Sequence, residues 1–168
     1  MKVLVIYNPV AGKKKEIEKS VKQILADTLY DWLETNQAGD YLDGVAGGQY
    51  ERAMVIGGDG TVHQVANWIL KNNYNLILGV VPRGSANLLA NCFKIPGNLG
   101  TAVSLALSGA PQTIDVGLIN KKTYFLIAAG LGYDAWVIKN TDRAWKRLFG
   151  FWAYTIAMLQ GLFSLREN

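Results

Sequence analysis

The sequence contains only one cysteine, one histidine and four prolines in 168 residues. The single cysteine, Cys92, cannot form a disulfide within the chain. One cysteine and one histidine also cannot supply the four ligands of a structural zinc site. These shortages exclude a disulfide-rich secreted fold and a zinc-stabilised fold, so a reducing, cytoplasmic setting is expected.

The excess of positive over negative charge is also small. Lysine and arginine total 17 against 13 aspartates and glutamates, which gives a formal net charge of +4. A nucleic-acid-binding domain carries a concentrated basic surface, and this small excess does not provide one. We therefore predict no nucleic-acid partner and expect phosphate groups or an anionic membrane surface instead.

One uncharged and largely apolar segment, Leu148–Leu165, lies between Arg147 and Arg166. Its length is at the lower limit for a membrane span, but glycines and polar residues dilute it. This composition favours a buried or partner-facing helix, while contact with lipid stays open. The first apolar run, Val3–Tyr7, is too short for the core of a signal peptide and predicts a strand.

The sequence does contain three successive units of strand, loop and helix. Apolar strands are predicted at Val3–Tyr7, Ala53–Ile56 and Leu76–Val81, and each precedes apolar residues at helical spacing. A further strand is predicted at Asp31–Thr35. Repeated units of this kind predict an α/β, Rossmann-like three-layer domain with a parallel sheet.

The pattern changes after a helix predicted at Leu99–Leu107. Two strand-like segments, Gln112–Leu118 and Thr123–Ala129, are separated by turn residues and predict a hairpin. We therefore place a nucleotide-binding α/β domain at 1–118 and the start of a second, truncated domain or helical extension at 119–168. Helices are predicted in the second part at Ala135–Arg147 and Phe151–Phe163.

The loops that follow the predicted parallel strands are Asn8–Gly12, Gly57–Thr61 and Pro82–Asn87. The carboxyl ends of parallel strands share one edge of a sheet, so these loops can converge on one crevice. Convergence of this kind is typical of ligand-binding sites in α/β proteins.

The middle loop has the composition of a phosphate-binding loop. Gly57, Gly58 and Gly60 permit close approach of the backbone, and the helix that follows supplies free amide donors at its N-terminus. Thr61 has two open interpretations, because its hydroxyl can cap the helix or contact a phosphate. The sequence therefore predicts that this loop binds the phosphates of a nucleotide.

Asp59 is unusual within such a loop. A carboxylate beside phosphates is repelled unless a magnesium ion or a transferable proton is present. Asp59 is therefore the predicted catalytic residue and the predicted metal ligand, either orienting Mg²⁺ or accepting a proton.

Two more familiar phosphate motifs do not explain the sequence. Gly12 and Lys13 are followed by Lys14 rather than by serine or threonine, which rejects a Walker A loop. Residues Gly130–Ala135 match a dinucleotide-binding pattern, but they follow a hairpin and are interpreted as a structural turn.

Taken together, four motifs resemble those of the diacylglycerol kinase catalytic domain family, in a superfamily with sphingosine kinases and NAD kinases. The resemblance implies an ATP-dependent lipid kinase with ATP and Mg²⁺ as cofactors. The motifs are Asn8–Gly12, Gly57–Thr61, Pro82–Asn87 and Ile114–Gly117 followed by Tyr124 and Phe125.

The resemblance also implies a set of nucleotide-binding residues. Those outside the Gly57–Thr61 loop are Asn8, Gly12, Thr35, Gly84, Ser85 and Asn87. The chain departs from the family pattern at three positions. His63 and Gln64 stand where asparagine and glutamate are usual, and Leu88 replaces an aspartate. An acidic motif that resembles Asp-Gly-Glu and lies further along family members is also missing, so the site is expected to be incomplete if the chain is the whole molecule.

Three functions therefore remain under consideration. The first is a kinase that transfers the γ-phosphate of ATP to a lipid hydroxyl such as that of diacylglycerol, at the membrane surface. The second is a non-catalytic nucleotide-binding fragment or regulatory module of the same family, and the third is a relative of NAD kinases. We expect a cytoplasmic protein peripheral to the membrane, and an exposed docking surface that favours a homo-oligomer.

Overall fold

The computed structural model describes residues 1–10, 14–35 and 41–127. In this part of the chain, strands and helices alternate up to residue 108 and a short hairpin follows. The strands are β1 (Lys2–Tyr7), β2 (Leu29–Glu34), β3 (Arg52–Gly57), β4 (Ile77–Pro82), β5 (Gly117–Ile119) and β6 (Thr123–Phe125). The α-helices are α1 (Lys14–Ile24), α2 (Asp59–Lys71), α3 (Leu88–Cys92) and α4 (Leu99–Ser108).

The first four strands form one parallel sheet in the order β2-β1-β3-β4. The central strands β1 and β3 are almost continuously apolar and buried, which is expected where helices cover both faces of a parallel sheet. The predicted α/β class and parallel sheet are confirmed, and the further strand predicted at Asp31–Thr35 corresponds to β2. The connection between β2 and β3 contains a single 3₁₀ turn, at Gly47–Gln49, in its described part.

Two hydrophobic cores cover the two faces of the sheet. Side chains of successive strand residues point to opposite faces, so Leu4 and Ile6 enter one core while Val3 and Val5 enter the other. Helices α2 and α3 close the first core, and α1 and α4 close the second. Each fully buried valine or isoleucine stabilises the fold by about 1.5–3 kcal/mol, so this alternation fixes the three layers.

The helices leave the centre of the sheet in opposite directions. Helix α1 connects β1 to its neighbour β2 on one side, whereas α2 connects β3 to its neighbour β4 on the other. The strand order therefore reverses between β1 and β3. In open α/β sheets, such a reversal leaves a crevice beyond the carboxyl ends of the two strands.

Paired charges hold the opposite, amino-terminal edge of the sheet together. Lys2 Nζ lies 2.8 Å from Asp31 Oδ2, and the Tyr50 hydroxyl donates to the same oxygen at 2.6 Å. The hydrogen bond from Lys2, followed by that from Tyr50, lowers the pKa of Asp31. At the next strand, the terminal amine of Met1 lies 3.1 Å from Glu51 Oε1. This edge is therefore closed by its own side chains.

The predicted hairpin is confirmed, although its strands are short. Strands β5 and β6 pair antiparallel over three residues each, and residues 112–116 before them form no strand. The chain separates into compact units at Met1–Ile127 and Ala128–Asn168, so the hairpin belongs to the first unit. The domain division at 118/119 stays a prediction.

Within the described ranges no helix has the length and hydropathy of a membrane span, and Leu148–Leu165 lies outside those ranges.

Candidate functional site

Three loops meet at the carboxyl edge of the sheet. The end of β3 is hydrogen-bonded on both sides, because Asn8 N donates to Ile56 O at 2.9 Å and Arg83 N donates to Gly57 O at 2.8 Å. The loops after β1 and β4 are thereby attached to the loop after β3. The convergence predicted for the three loops is confirmed by this backbone geometry.

The loops after β3 and β4 also touch through two glycines. A Cβ atom built on Gly84 would lie 2.5 Å from the Gly58 Cα, and one built on Gly58 would lie 2.9 Å from the Gly84 Cα. Real Cβ atoms do not come this near to another backbone, so a side chain at either position forces the loops apart. Both residues must be glycine for the two loops to touch.

Helix α2 begins with amide groups that have no acceptor in the described part of the chain. Its N-cap is Gly58, which offers no side chain, and the first hydrogen bond of the helix runs from Val62 N to Gly58 O at 3.1 Å. The amides of Asp59, Gly60 and Thr61 have no acceptor among the described residues. Free amides and the positive end of the helix dipole together form an anion-binding position.

Thr61 does not cap the helix, because it is the third helical residue. Its side chain is buried, and its hydroxyl accepts a hydrogen bond of 3.0 Å from Asn8 Nδ2. The same Asn8 side chain accepts from Val10 N at 3.0 Å. The capping interpretation is therefore wrong. Thr61 ties the start of α2 to the loop after β1, across the crevice between β1 and β3.

Gly60 differs from the other two glycines of the loop. A Cβ atom on Gly57 would lie 3.0 Å from atoms of the Thr61 side chain, and Gly58 is crowded by Gly84. A Cβ on Gly60 would meet nothing within 4 Å. Packing within the protein therefore explains glycine at positions 57 and 58, whereas at position 60 the open space is on the exposed side of the loop, where a ligand can approach.

The loop after β4 satisfies most of its own polar groups. Asn87 lies in the left-handed conformation (φ 48°, ψ 49°), and its amide accepts from Gly84 N and donates to Gly84 O, both at 2.8 Å. Arg83 Nη1 donates to Gly97 O at 3.0 Å. Ser85 is exposed, and its hydroxyl has no partner among the described residues. The turn is held by its own hydrogen bonds, and the Ser85 hydroxyl is unpaired among the residues that the structure describes.

Asp59 lies half-buried in the first turn of α2, next to the free amides. It forms no ion pair with any described residue, and an acidic side chain at this end of a helix is stabilised by the dipole. No three His, Cys, Asp or Glu side chains within the described ranges are grouped as a metal site. Mg²⁺ is usually held by one or two carboxylates together with phosphates and water, so a single aspartate fits a metal that arrives with a polyphosphate.

Comparison with known proteins agrees with this geometry. The model of the diacylglycerol kinase catalytic domain matches residues 2–119. The chain belongs to the diacylglycerol kinase catalytic domain family. A diacylglycerol kinase of Staphylococcus carnosus is 29% identical over 166 residues, with 94% of this chain and 54% of the relative covered. One from Staphylococcus aureus (strain MRSA252) is 29% identical over 160 residues, with 90% and 50% covered.

Solved structures show the same similarity. The crystal structure of a diacylglycerol kinase from Bacillus anthracis str. Sterne superposes with a TM-score of 0.66 at 27% identity. That match covers 74% of this chain and 45% of the other. The chain spans about half the length of the curated relatives it matches.

Within the candidate site, the predicted residues do not all lie together. Asn8, Thr61, Gly58 and Gly84 are joined by direct contacts. Thr35 lies one strand further out, where its amide donates to Tyr7 O at 2.9 Å. Gly12 and the Gly130–Ala135 segment lie outside the described residues. The roles assigned to all these residues, and self-association of the chain, stay predictions.

Sequence reasoning missed two polar contacts on α2. Asn67 is buried and hydrogen-bonded to β6, although nothing in the local sequence distinguishes it from a surface asparagine. Gln64, noted only as a departure from the family pattern, accepts a 2.8 Å hydrogen bond from the Tyr41 hydroxyl. Burial raises the pKa of Tyr41 to about 12, so this hydroxyl remains a neutral donor at physiological pH.

Proposed function

We propose that this protein is an ATP-dependent lipid kinase that transfers the γ-phosphate to a lipid hydroxyl such as that of diacylglycerol. Membership of the family and the names of the relatives support a kinase. The nucleotide and the metal are our inference from the chemistry of the site, and the acceptor lipid is inferred from the names of the relatives.

The observation that carries the proposal is the free N-terminus of α2. The amides of Asp59, Gly60 and Thr61 have no acceptor among residues 1–10, 14–35 and 41–127, and they lie beside Gly60, where a Cβ would meet nothing within 4 Å. Backbone donors at the N-terminus of a helix favour phosphate over neutral ligands. The Gly58–Gly84 contact and the Asn8–Thr61 hydrogen bond fix those donors in place before a ligand arrives.

In this proposal the residues of the chain hold the phosphates in position and place hydrogen-bond donors around their charge. Phosphoryl transfer needs little covalent chemistry from a protein, but it requires fixed donors around the phosphates and an aligned acceptor. The amides of α2 hold the terminal phosphates, and the free Ser85 hydroxyl lies on the adjoining loop as a further donor.

Asp59 has two chemically reasonable roles in this arrangement. It holds Mg²⁺ against the phosphates, or it accepts the proton of the attacking hydroxyl. When bound, Mg²⁺ would neutralise phosphate charge and thereby remove the repulsion between the polyphosphate and the Asp59 carboxylate.

Substitution of Asp59 by asparagine tests the proposal. Asp59→Asn keeps the size of the side chain and removes its charge, so we expect phosphate transfer from labelled ATP to diacylglycerol in mixed vesicles to fall about 100-fold. Asp27→Asn is the matched control, because Asp27 is an exposed aspartate just before β2, at the amino-terminal edge of the sheet. Equal turnover in both variants and the wild type contradicts the role of Asp59.

The acceptor and the competing functions are separated in the same assay. Diacylglycerol, sphingosine and NAD are offered in parallel, and the product is identified by mass spectrometry. Phosphorylation of NAD alone identifies an NAD kinase relative. ATP binding measured by calorimetry without transfer to any acceptor identifies a non-catalytic nucleotide-binding module.

A further inference from the structure

Asn67 is a buried asparagine whose side-chain amide has hydrogen-bond partners for its oxygen and for both of its hydrogens. Its exposed fraction is 7%, and it lies on α2, two turns after the phosphate loop. Asn67 Oδ1 accepts from Tyr124 N at 2.9 Å, and Nδ2 donates to Tyr124 O at 2.9 Å and to His63 O at 3.0 Å. Both amide hydrogens and the amide oxygen are therefore engaged.

The two bonds to Tyr124 imitate the pairing of a β-strand. The N–H and C=O of a strand residue point to the same side, so Asn67 occupies the edge of β6 that β5 leaves open. Only an amide side chain supplies a donor and an acceptor side by side in this way. A carboxylate would face two carbonyl oxygens without a hydrogen to offer, and an apolar side chain would leave the buried backbone groups of Tyr124 unpaired.

The same helical face leads back to the phosphate loop. Gly60, His63 and Asn67 follow one another at helical spacing, and the first two are exposed. Asn67 lies seven positions after Gly60 in the helix, which corresponds to about 10 Å along the helix axis. The hairpin therefore borders the open face of the helix that starts at the proposed phosphate site, and Asn67 is the hydrogen-bonded link between them.

We propose that Asn67 is a positioning residue for phosphoryl transfer, because it fixes β6 to the helix that presents the phosphate loop. In this arrangement the acceptor lies against β6 as it approaches the terminal phosphate. This inference rests on the proposed kinase function. Because the loop amides do not involve Asn67, its loss affects transfer and leaves nucleotide binding intact. A merely structural residue would affect both.

The test compares Asn67→Asp with Asn72→Asp. Asn72 is an exposed asparagine just after the same helix, and it bonds only to Trp68 O, at 2.8 Å, through its side chain. In Asn67→Asp the carboxylate loses the hydrogen bonds to Tyr124 O and His63 O and is repelled by both oxygens, so it also moves away from Tyr124 N. We therefore expect amide exchange at Tyr124, followed by NMR, to accelerate about tenfold. We expect kcat to fall about 10- to 100-fold from misplacement of the acceptor.

The Kd for ATP, measured by calorimetry, should change less than about twofold in both variants, since the first-turn amides are untouched. Asn72→Asp should match the wild type in all three measurements. If Asn67→Asp does not fold, Asn67→Leu, which is similar in size and uncharged, takes its place. The inference is overturned if exchange at Tyr124 stays at the wild-type rate, if it accelerates without a loss of kcat, or if kcat and ATP affinity decline together.

Failure of the proposed function gives a different result. In that case the wild type binds ATP and phosphorylates no lipid. The link through Asn67 is then decided by whether ATP slows exchange at Tyr124 in the wild type and Asn72→Asp but not in Asn67→Asp. An equal effect of ATP in all three proteins rejects the link.

Discussion

The two edges of the parallel sheet are built from polar residues that are used in opposite ways. At the amino edge, charged groups pair with one another, as Lys2 does with Asp31 and the terminal amine of Met1 does with Glu51. At the carboxyl edge, the three first amides of α2 and the Ser85 hydroxyl have no acceptor or donor among the described residues. One edge is closed by its own contacts, and the other offers donors to a ligand.

From this difference we expect satisfaction of hydrogen bonds, rather than polarity, to distinguish a structural edge from a ligand-binding edge. Buried or crowded polar groups in a folded protein nearly always find partners, so a fixed group without one needs an explanation. Within the carboxyl edge the same distinction recurs, because Asn87 closes the loop after β4 on itself while the loop after β3 stays open.

The largest expected effect comes from breaking the contact between the two loops. Gly84→Ala places a Cβ 2.5 Å from the Gly58 Cα. Overpacking against backbone should destabilise the fold by about 3 kcal/mol and weaken ATP binding at the same time. Urea unfolding measures the first effect and calorimetry the second. Wild-type stability in Gly84→Ala would show that the loops separate without cost.

A smaller loss is expected from opening the self-bonded loop. Asn87→Asp keeps the shape of the side chain but removes the donor to Gly84 O. One lost hydrogen bond with a carboxylate left facing a carbonyl should lower the free energy of unfolding by about 2 kcal/mol. Asn91→Asp is a suitable control, since Asn91 is exposed and also donates to a backbone carbonyl, that of Ala86. Equal losses in the two variants would contradict a special role for Asn87.

Gly60→Ala should separate stability from binding. Nothing within 4 Å opposes a Cβ at this position, and alanine favours a helix over glycine by up to about 1 kcal/mol. We therefore expect unchanged or higher stability in urea unfolding. A methyl group where phosphates approach should raise the Kd for ATP about tenfold. Unchanged affinity would place the ligand elsewhere.

Ser85→Ala probes the free hydroxyl of the carboxyl edge. Since Ser85 is exposed and bonds to no described residue, stability should stay within about 0.5 kcal/mol of the wild type. Loss of one hydrogen bond to a bound nucleotide should raise its Kd about threefold. An unaltered Kd in calorimetry would remove Ser85 from the predicted binding residues.

The smallest effect is expected at the amino edge. The pKa of Asp31 is lowered from its ordinary value of 3.8, first by the hydrogen bond from Lys2. Its stabilising contribution is therefore present above that value and is lost as pH falls through the folded-state pKa. The Tm difference between the wild type and Asp31→Asn should shrink between neutral pH and pH about 3, with ATP affinity at neutral pH unchanged. A constant Tm difference would show that the carboxylate charge contributes nothing.

Much of the fold could be predicted because its elements carry strong local signals. The apolar strands and the helical spacing of Val62, Val65 and Ile69 identify the units, and turn residues identify the hairpin. After β4, only Leu88–Cys92 of the apolar segment is helical, because Asn87 adopts the left-handed conformation just before it. The last strands are also shorter than predicted, since residues 112–116 have no strand to pair with in the described part of the chain.

Sequence alone determined which loops carry glycine and that they follow parallel strands, because apolar periodicity and turn chemistry are local properties. Only the tertiary structure decided which glycines touch, that Thr61 bonds to Asn8 rather than capping α2, and that Asn67 pairs with β6. These contacts join residues 26 to 57 positions apart, as read from the numbering. Their geometry is set by packing of the whole sheet and its helices, which no local pattern contains.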